Sequence, residues 1–141
     1  MIRSISIKDA ESLNKLCADE LGYLINIEIT RNQINKLIDD PHHFIRIYEL
    51  DENVVGFIHA EVYESLFSNT MFNILGIAVN RNLHGRGIGK ELLKSLENEA
   101  RLRSFEGIRF NSGLERKEAH LFYESFGFVS NKLQKRYLKV L

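Results

Sequence analysis

The sequence is poor in three features, each of which would indicate a specialised class of protein: cysteine, an excess of one charge, and long apolar segments. Its single cysteine, Cys17, excludes an internal disulfide. Lys and Arg number 19 and Asp and Glu number 19, so no overall basic field exists to recruit nucleic acid or an anionic membrane. The apolar runs are only as long as strands, and the N-terminus MIRSISIKDA lacks a signal-peptide core. We therefore expect a cytoplasmic protein that binds neither nucleic acid nor a membrane.

The chain also lacks internal repeats, low-complexity tracts and any linker that would divide it. Its length of 141 residues and its hydrophobic share of 44% are typical of one domain with its own core. We expect a single domain over residues 1–141. Cys17 lies on the apolar side of a predicted helix, so we expect it to pack in that core.

The spacing of apolar residues predicts an alternation of strands and helices. A first helix follows Asp9 and stops at Gly22. A second begins at the capping-box pair Thr30 and Gln33 and ends at residues 39–41. A third carries Ile88, Leu92, Leu93, Leu96 and Ala100 as its apolar stripe, and a fourth carries Ala119, Phe122, Tyr123 and Phe126 before Gly127. The predicted strands cover residues 2–7, 44–50, 54–63, 71–79, 108–111 and 134–141, with a loop over residues 64–70. This order predicts a three-layer α/β fold with a mixed sheet.

The most informative stretch is NILGIAVNRNLHGRGIGKELL, residues 73–93, in which an apolar strand leads through three glycines into an amphipathic helix. Glycines let the backbone approach a ligand, and the free amides of a helix start attract an anion such as a pyrophosphate. Neither nucleotide pattern fits, because Lys90 stands where a dinucleotide loop needs glycine, while Glu91 and His84 break the triphosphate pattern. Gly76 inside the strand predicts a bulge or a close approach of ligand backbone.

What remains, HGRGIG, resembles the Q/R-x-x-G-x-G/A signature of the GNAT superfamily of N-acetyltransferases, with His84 in place of Gln or Arg. A second stretch, AHLFYESFGF at residues 119–128, is similar to the family's A-x-x-F-Y-x-x-x-G-F segment. Two motifs in the right order extend the resemblance over nearly the whole chain. It implies an α/β/α sandwich whose central, mostly antiparallel mixed sheet is splayed between strands 4 and 5.

The resemblance also implies roles for individual residues. Tyr123 is the expected general acid, placed against the sulfur of acetyl-CoA; from periodicity alone the same residue could simply pack in the core. Many members carry an Asn where this chain has Gly113 or Arg116, so Asn111 or Ser112 is expected to supply that polar contact. The residues expected to hold acetyl-CoA are Ile77 and Val79 through their backbone amides, then His84, Gly85, Arg86, Gly87, Ile88, Gly89 and Lys90 around the pyrophosphate, and Ser112.

The proton acceptor is left open between two side chains. Glu61 and His59 share the polar face of the strand at residues 54–63, and either could take the amine proton directly or through water. The alternative is a structural network with Tyr63. His42 and His43 lack partners at ligand spacing, so we expect loop residues and no metal site. His120, beside Tyr123, is a secondary candidate that is more typical of a solvated helix surface.

The resemblance thus implies an acetyl-CoA-dependent N-acetyltransferase that acts on a primary amine of a small molecule or peptide, without an acyl-enzyme. Two other functions stay open: a non-catalytic acetyl-CoA sensor or interaction module, and a nucleotide-phosphate enzyme using the same loop. The acceptor is not determined by the sequence. Leu66, Phe67 and the last predicted strand are candidate surfaces for a homodimer.

Overall fold

The computed structural model describes all 141 residues, which divide into two compact units, Met1–Asn111 and Ser112–Leu141. The first unit contains a five-stranded sheet, three α-helices and two short 3-10 helices. Its elements are β1 (Ile2–Ser4), a 3-10 helix (Ile7–Asp9), α1 (Ala10–Leu21), α2 (Ile27–Leu37), β2 (His43–Leu50), β3 (Asn53–Ser65), β4 (Ser68–Val79), a 3-10 helix (Arg81–Leu83), α3 (Ile88–Leu102) and β5 (Ile108–Arg109). The second unit contains α4 (Lys117–Ser125). No helix combines the length and the apolar composition that crossing a membrane requires.

The sheet has the order β1-β2-β3-β4-β5, and only the β4-β5 pair is parallel. β2 and β3, and β3 and β4, are joined by tight turns, whereas α1 and α2 lie between β1 and β2. Asp51 and Glu52 both adopt positive φ, 50° and 64°, which suits the short connection between β2 and β3 because such a turn follows the twist of the strands. β5 must run parallel to β4 because α3 returns the chain to the end of the sheet where β4 began. The mixed, mostly antiparallel sheet predicted from the sequence is confirmed.

Helices cover both faces of this sheet. Phe57 on β3 packs in a cluster with Ile47, Ala78 and residues of α1 and α2. Its neighbour Gly56 faces the other way, where a Cβ would lie 3.4 Å from Leu92 of α3. Three layers result, as predicted. All five residues of the predicted α3 stripe are buried: Ile88, Leu92, Leu93, Leu96 and Ala100.

Both ends of α1 are defined by local chemistry. Gly22 adopts φ 78°, the left-handed conformation that commonly ends a helix, as its position in the sequence predicted. At the other end, Asp9 is only 4% exposed and accepts two hydrogen bonds from the Arg3 guanidinium, at 2.8 and 2.9 Å, and one from the Ser6 amide at 2.8 Å. Arg3 also binds Glu49, so this buried carboxylate connects β1 and β2 to the start of α1. Cys17 packs at the edge of the same helix core, as expected.

Several predicted element boundaries are wrong. α2 begins earlier than its predicted capping box, because Asn26 caps it by accepting from the Glu28 amide, while Thr30 lies inside the helix and accepts from Asn14. The predicted loop at residues 64–70 is instead a tight turn, since β3 and β4 extend until Ser65 pairs with Ser68. Leu66 and Phe67 occupy the tip of that turn and are fully exposed.

In the second unit, the predicted strand at residues 134–141 is absent, and the chain after α4 forms no regular element. Alternating apolar and polar residues predict a strand only if an edge is available to pair with them, and residues 134–141 are exposed throughout. α4 ends near Gly127, whose φ of 100° confirms the predicted stop.

The buried Arg3–Asp9 pair generates a prediction about stability. Burial alone would raise the pKa of Asp9, but the hydrogen bonds and charge of Arg3 and the Ser6 amide lower it below its ordinary value of 3.8. Asp9→Asn should therefore reduce the free energy of unfolding at neutral pH by about 2 kcal/mol. Because the carboxylate stabilises the fold only while ionised, the difference from wild type should shrink as the pH falls below 3.8.

Urea unfolding at neutral and acidic pH measures this effect. Glu97→Gln is the matched control, since Glu97 forms an exposed pair with Arg101 at 2.9 Å and should cost under about 0.5 kcal/mol. An Asp9→Asn effect no larger than that of Glu97→Gln would contradict the assignment.

Candidate functional site

A β-bulge interrupts β4 next to the residues predicted to hold the acetyl group. His59 of β3 pairs with Gly76, whereas the next residue, Ala60, pairs with Ile74, so Leu75 is the extra residue on β4. The bulge expected at Gly76 is therefore present. A Cβ at Gly76 would lie 3.6 Å from its nearest neighbours, an ordinary contact, so packing within the chain does not require the glycine.

The bulge changes the side of the strand to which the later amides point. Before it, the Phe72 amide donates to Gly107 O on the β5 side at 3.1 Å; after it, the Asn80 amide donates to Val55 O on the β3 side at 2.8 Å. In a regular strand these two amides would point to the same side, because direction alternates residue by residue. The extra residue reverses the alternation, so the amides of Ile77 and Val79 point to the β5 side.

No strand meets those amides. β5 pairs with β4 only at Phe72 and Asn73, while β4 continues to Val79. The two strands thus separate immediately before the bulge, as the predicted splay requires. The amides of Ile77 and Val79 lie along the unpaired edge, where they could donate to an extended ligand.

The glycine loop leads from β4 into α3. Gly85 and Gly87 adopt φ values of 82° and 81°, which L side chains rarely take, so these two positions require glycine for conformation. Gly87 caps α3 without a side-chain hydrogen bond, and the first bond inside the helix runs from the Glu91 amide to Gly87 O. The amides of Ile88, Gly89 and Lys90 precede that bond and mark the positive end of the helix dipole.

Three side chains add to this loop. Arg86 and Lys90 are exposed and carry positive charge without a salt bridge. His84 stands where the family signature has Gln or Arg, and its Nε2 donates to the carbonyl oxygen of Val79 at 2.9 Å. A carbonyl oxygen only accepts, so this nitrogen carries the proton. His84 thereby ties the start of the loop to the end of β4.

A polar strip crosses three neighbouring strands on the face of the sheet that carries α1 and α2. Glu61 of β3 pairs with Asn73 of β4, which pairs with Arg109 of β5. Asn73 connects the two charges: its Nδ2 donates to Glu61 Oε2 at 3.3 Å, and its Oδ1 accepts from Arg109 Nη1 at 2.7 Å. The Arg109 guanidinium also lies over the Tyr63 ring, 4.5 Å from its centroid. All four side chains are half-buried.

His59, the second proton-acceptor candidate, has a different environment. It lies on the same face next to Glu61, and its Nε2 is 2.9 Å from Nδ1 of His43. Burial, with a smaller contribution from neighbouring His43, lowers the pKa of His59 to about 4. The ring is therefore neutral at physiological pH and is a weak base. The sequence-based assignment of His43 to a loop is wrong, because this residue begins β2.

In the second unit, Tyr123 on α4 is buried at 7% exposure between Phe122 and Phe128, with ring centroids 5.6 and 6.3 Å away. Burial raises the pKa of Tyr123 above its ordinary value of 10.0, although the Arg116 guanidinium acts in the opposite direction. The phenol therefore stays protonated over the physiological range. His120 donates through Nε2 to Gly113 O at 2.8 Å, a local contact within the unit.

Ser112 is the one residue whose buried side-chain oxygen has no hydrogen-bond partner. A buried hydroxyl without a partner is costly, and a bound ligand that accepts or donates there would remove the cost. The sequence named Asn111 or Ser112 for such a polar contact, and a pantetheine amide has groups that could pair with a hydroxyl. Within the first unit, the free edge of β4 and the two left-handed glycines suit an extended, anionic ligand such as coenzyme A.

Sequence reasoning missed two residues of the polar strip, Asn73 and Arg109, and it did not connect His43 with His59. Asn73 lies between Phe72 and Ile74, and Arg109 between Ile108 and Phe110, so each is a single polar residue in an apolar strand. That pattern was the available signal, but pairing across strands was needed to bring the residues together.

One cavity of about 350 Å³ lies elsewhere, at the β1 side of the sheet, and its lining includes Asp39, Arg46 and His43. None of its lining residues belongs to the polar strip, although His43 contacts His59, and β3 separates β1 and β2 from β4 in strand order. No group of three or more His, Cys, Asp or Glu side chains is arranged to hold a metal ion.

Known proteins provide the context for this geometry. The model of the GNAT acetyltransferase family matches residues 10–128. The aminoalkylphosphonate N-acetyltransferase of Salmonella typhimurium is 26% identical over 141 residues, which cover 99% of this chain and 90% of that protein.

Two solved structures share the fold at low identity. A transcriptional regulator from Bacillus halodurans superposes with a TM-score of 0.89 at 19% identity, over 99% of both chains. The aminoglycoside N-acetyltransferase AAC(6')-Iy, in complex with the bisubstrate analogue CoA-S-monomethyl-acetylneamine, superposes with a TM-score of 0.87 at 16% identity, over 100% of this chain and 98% of that one. The family match covers most of the sequence, and the chain therefore belongs to the GNAT acetyltransferase family and is an acyltransferase.

Proposed function

We propose that this protein transfers the acetyl group of acetyl-CoA directly to a primary amine of a small molecule. The observation that carries the proposal is the free edge of β4, where the bulge at Leu75 turns the amides of Ile77 and Val79 away from β3 and the short β5 leaves them unpaired. An edge of this kind is suited to an extended, amide-containing ligand, because it supplies donors in a row.

The glycine loop would hold the other end of coenzyme A. The amides of Ile88, Gly89 and Lys90, with those of Gly85 and Gly87 before them, form an anion-binding concavity at the start of α3. Arg86 and Lys90 add exposed charge, which assists a pyrophosphate but is screened by salt. His84 ties this loop to the end of β4 by its hydrogen bond to the carbonyl oxygen of Val79. The family resemblance adds Ser112 as a proposed contact to the pantetheine arm, and its buried hydroxyl has no hydrogen-bond partner in the chain.

When bound, acetyl-CoA supplies an acetyl group as a thioester, so that a C–N bond forms while the C–S bond breaks. The amide of Ile77 or Val79 would donate to the carbonyl oxygen, on which negative charge develops. Glu61 Oε1 has no protein partner, so it can hold the amine. An ammonium first releases one proton to solvent to give the neutral nucleophile, and Glu61 accepts the second proton as the C–N bond forms. Tyr123 would donate its phenolic proton to the departing sulfur, and its buried, protonated state supports that role.

A covalent acetyl-enzyme does not fit the residues present. Cys17 is the only thiol, and it lies on α1 packed against the helix core. Burial raises the pKa of Cys17 above its ordinary value of 9.0, which keeps it in the unreactive thiol form. Direct transfer is therefore favoured.

The comparisons support a small amine as acceptor. By its name, the Salmonella relative acetylates aminoalkylphosphonates, which carry an acid group as well as an amine. The aminoglycoside enzyme, by its name, acetylates an aminoglycoside, which carries several amines. Both are small primary amines, and they differ in the charge that accompanies the reacting nitrogen.

The proposal predicts selective binding of acetyl-CoA. At about 100 times its dissociation constant, acetyl-CoA should stabilise the fold by about 2.7 kcal/mol, whereas ATP and NAD at equal concentration should give a much smaller thermal shift. Release of free thiol should then require an added primary amine. Equal stabilisation by ATP would favour a nucleotide enzyme, and tight acetyl-CoA binding without acetylation of any amine in a broad screen would favour a sensor.

A second prediction concerns the proton donor. Tyr123→Phe should lower kcat about 100-fold or more while leaving the dissociation constant of acetyl-CoA nearly unchanged, because only the phenolic proton is removed. Tyr137→Phe, in the exposed chain after α4, is the matched control and should behave as wild type. If Tyr123→Phe retains full kcat, Tyr123 is a packing residue and not the acid.

A third prediction separates the two candidate proton acceptors. Glu61→Gln keeps the shape and the bond to Asn73 but loses the carboxylate, so kcat should fall about 100-fold. His59→Gln should have the smaller effect, since a ring with a pKa of about 4 accepts a proton poorly. Steady-state kinetics of both variants decide between them, and the opposite order of effects would assign the role to His59.

A further inference from the structure

The polar strip formed by Glu61, Asn73 and Arg109 contains two opposite charges that do not pair with each other. Neither Glu61 nor Arg109 takes part in any salt bridge, whereas Arg3, Arg31, Arg81, Arg101 and Arg103 all do. The amide of Asn73 stands between the two and binds both. Half-buried ions usually find a counter-ion, so this separated arrangement leaves one place for a cation beside Glu61 and one for an anion beside Arg109.

Arg109 is prepared to receive an anion. One guanidinium nitrogen, Nη1, is used by Asn73, and the plane is oriented by the Tyr63 ring beneath it. Nε and Nη2 have no partner in the chain, and two adjacent N–H groups match the two oxygens of a carboxylate or phosphonate. Because the guanidinium is held in place before binding, little side-chain entropy is lost on contact.

Glu61 has the complementary property. Asn73 occupies Oε2, while Oε1 is left to accept from an ammonium group. Glu61 pairs with Asn73, and only one further pair of residues separates this pair from the bulge at Leu75. Glu61 therefore lies close to the point where the free edge of β4 begins. The amides of Ile77 and Val79, to which the proposed function assigns the acetyl group, lie further along the same strand.

We propose that the polar strip is a binding site for a zwitterionic acceptor, in which Glu61 holds the reacting amine and Arg109 holds an acid group of the same molecule. The inference rests on the proposed function for the identity of the reaction. Since both charges are bridged by a single amide, about one to three carbon atoms between amine and acid would span them. A polyamine is a poor fit, because a second ammonium group would face Arg109 at close range.

The test compares matched acceptors and matched variants. Acetyl transfer is measured with β-alanine and aminomethylphosphonate, which carry an acid group, and with n-propylamine and neamine, which do not. The wild-type protein should prefer the acid-bearing amines in kcat/KM. Arg109→Gln should reduce that preference about 10- to 100-fold, mainly by raising KM, with little change for n-propylamine. Arg109→Lys should restore part of it, because the charge returns without the two-pronged geometry.

The control variant is Arg101→Gln, on the exposed side of α3, which should leave every acceptor unaffected. If Arg109→Gln lowers kcat/KM equally for all acceptors, the strip is not a zwitterion site. A higher kcat/KM of the wild-type protein for neamine than for the acid-bearing amines would also overturn it. Thermal unfolding of each variant identifies a loss that comes from the fold.

Calorimetric titration of β-alanine into the protein with coenzyme A separates this inference from the proposed function. If β-alanine binds the wild-type protein but not Arg109→Gln, and no amine is acetylated, the proposed transfer is refuted and the strip is upheld as a binding site. Acetylation of n-propylamine and neamine, with no binding of β-alanine, would uphold the transfer and refute the strip.

Discussion

The early separation of β4 and β5 is the constraint on which the rest of this structure depends. The two strands pair at Phe72 and Asn73 and nowhere further, and Leu75 bulges out of β4 shortly afterwards. An unpaired strand edge inside a protein is unfavourable unless something satisfies its amides. Here the bulge concentrates the unsatisfied amides on one side, at Ile77 and Val79. The unpaired edge thus presents two backbone amides that point the same way and can donate hydrogen bonds to a ligand.

The charged side chains are arranged differently on the two sides of the bulge. Net charge is zero, so the protein has no general attraction for anions, and positive charge is instead placed locally around the glycine loop by Arg86 and Lys90. On the paired side of the bulge, the cross-strand positions bring Glu61, Asn73 and Arg109 into one row. The bulge therefore divides β4 into a part that presents side chains in register and a part that presents backbone amides.

Much of the fold could be predicted from the sequence, because the strongest signals are local and periodic. The α3 stripe, the Gly22 and Gly127 stops and the β2-β3 turn depend on residues within a few positions of one another. The start of α2 could not be predicted correctly, since Thr30 and Gln33 form a plausible capping box while Asn26 caps the helix in fact. The absent strand at residues 134–141 shows the same limit, because alternation does not establish that a partner edge exists.

The residues of the candidate site differ in the same way: some lie in local motifs, and others come together only through strand pairing. The glycine loop and Tyr123 lie in contiguous motifs, so one sequence is enough to propose them, and the position of a family contact proposes Asn111 or Ser112. Arg109, Asn73 and His43 could not be placed, because their relation to Glu61 and His59 depends on strand register, which one sequence does not display. The hydrogen bond from His84 to the carbonyl oxygen of Val79 likewise depends on the three-dimensional structure.

Hydrogen–deuterium exchange of the β4 amides with and without acetyl-CoA tests the central claim most directly. The account predicts that acetyl-CoA slows exchange in two separate segments, residues 76–79 at the free strand edge and residues 85–90 in the glycine loop, while the already paired amides of β2 change little. Protection of the glycine loop alone, with residues 76–79 exchanging as fast as before, would show that the strand edge is not where the thioester end binds and would contradict the account.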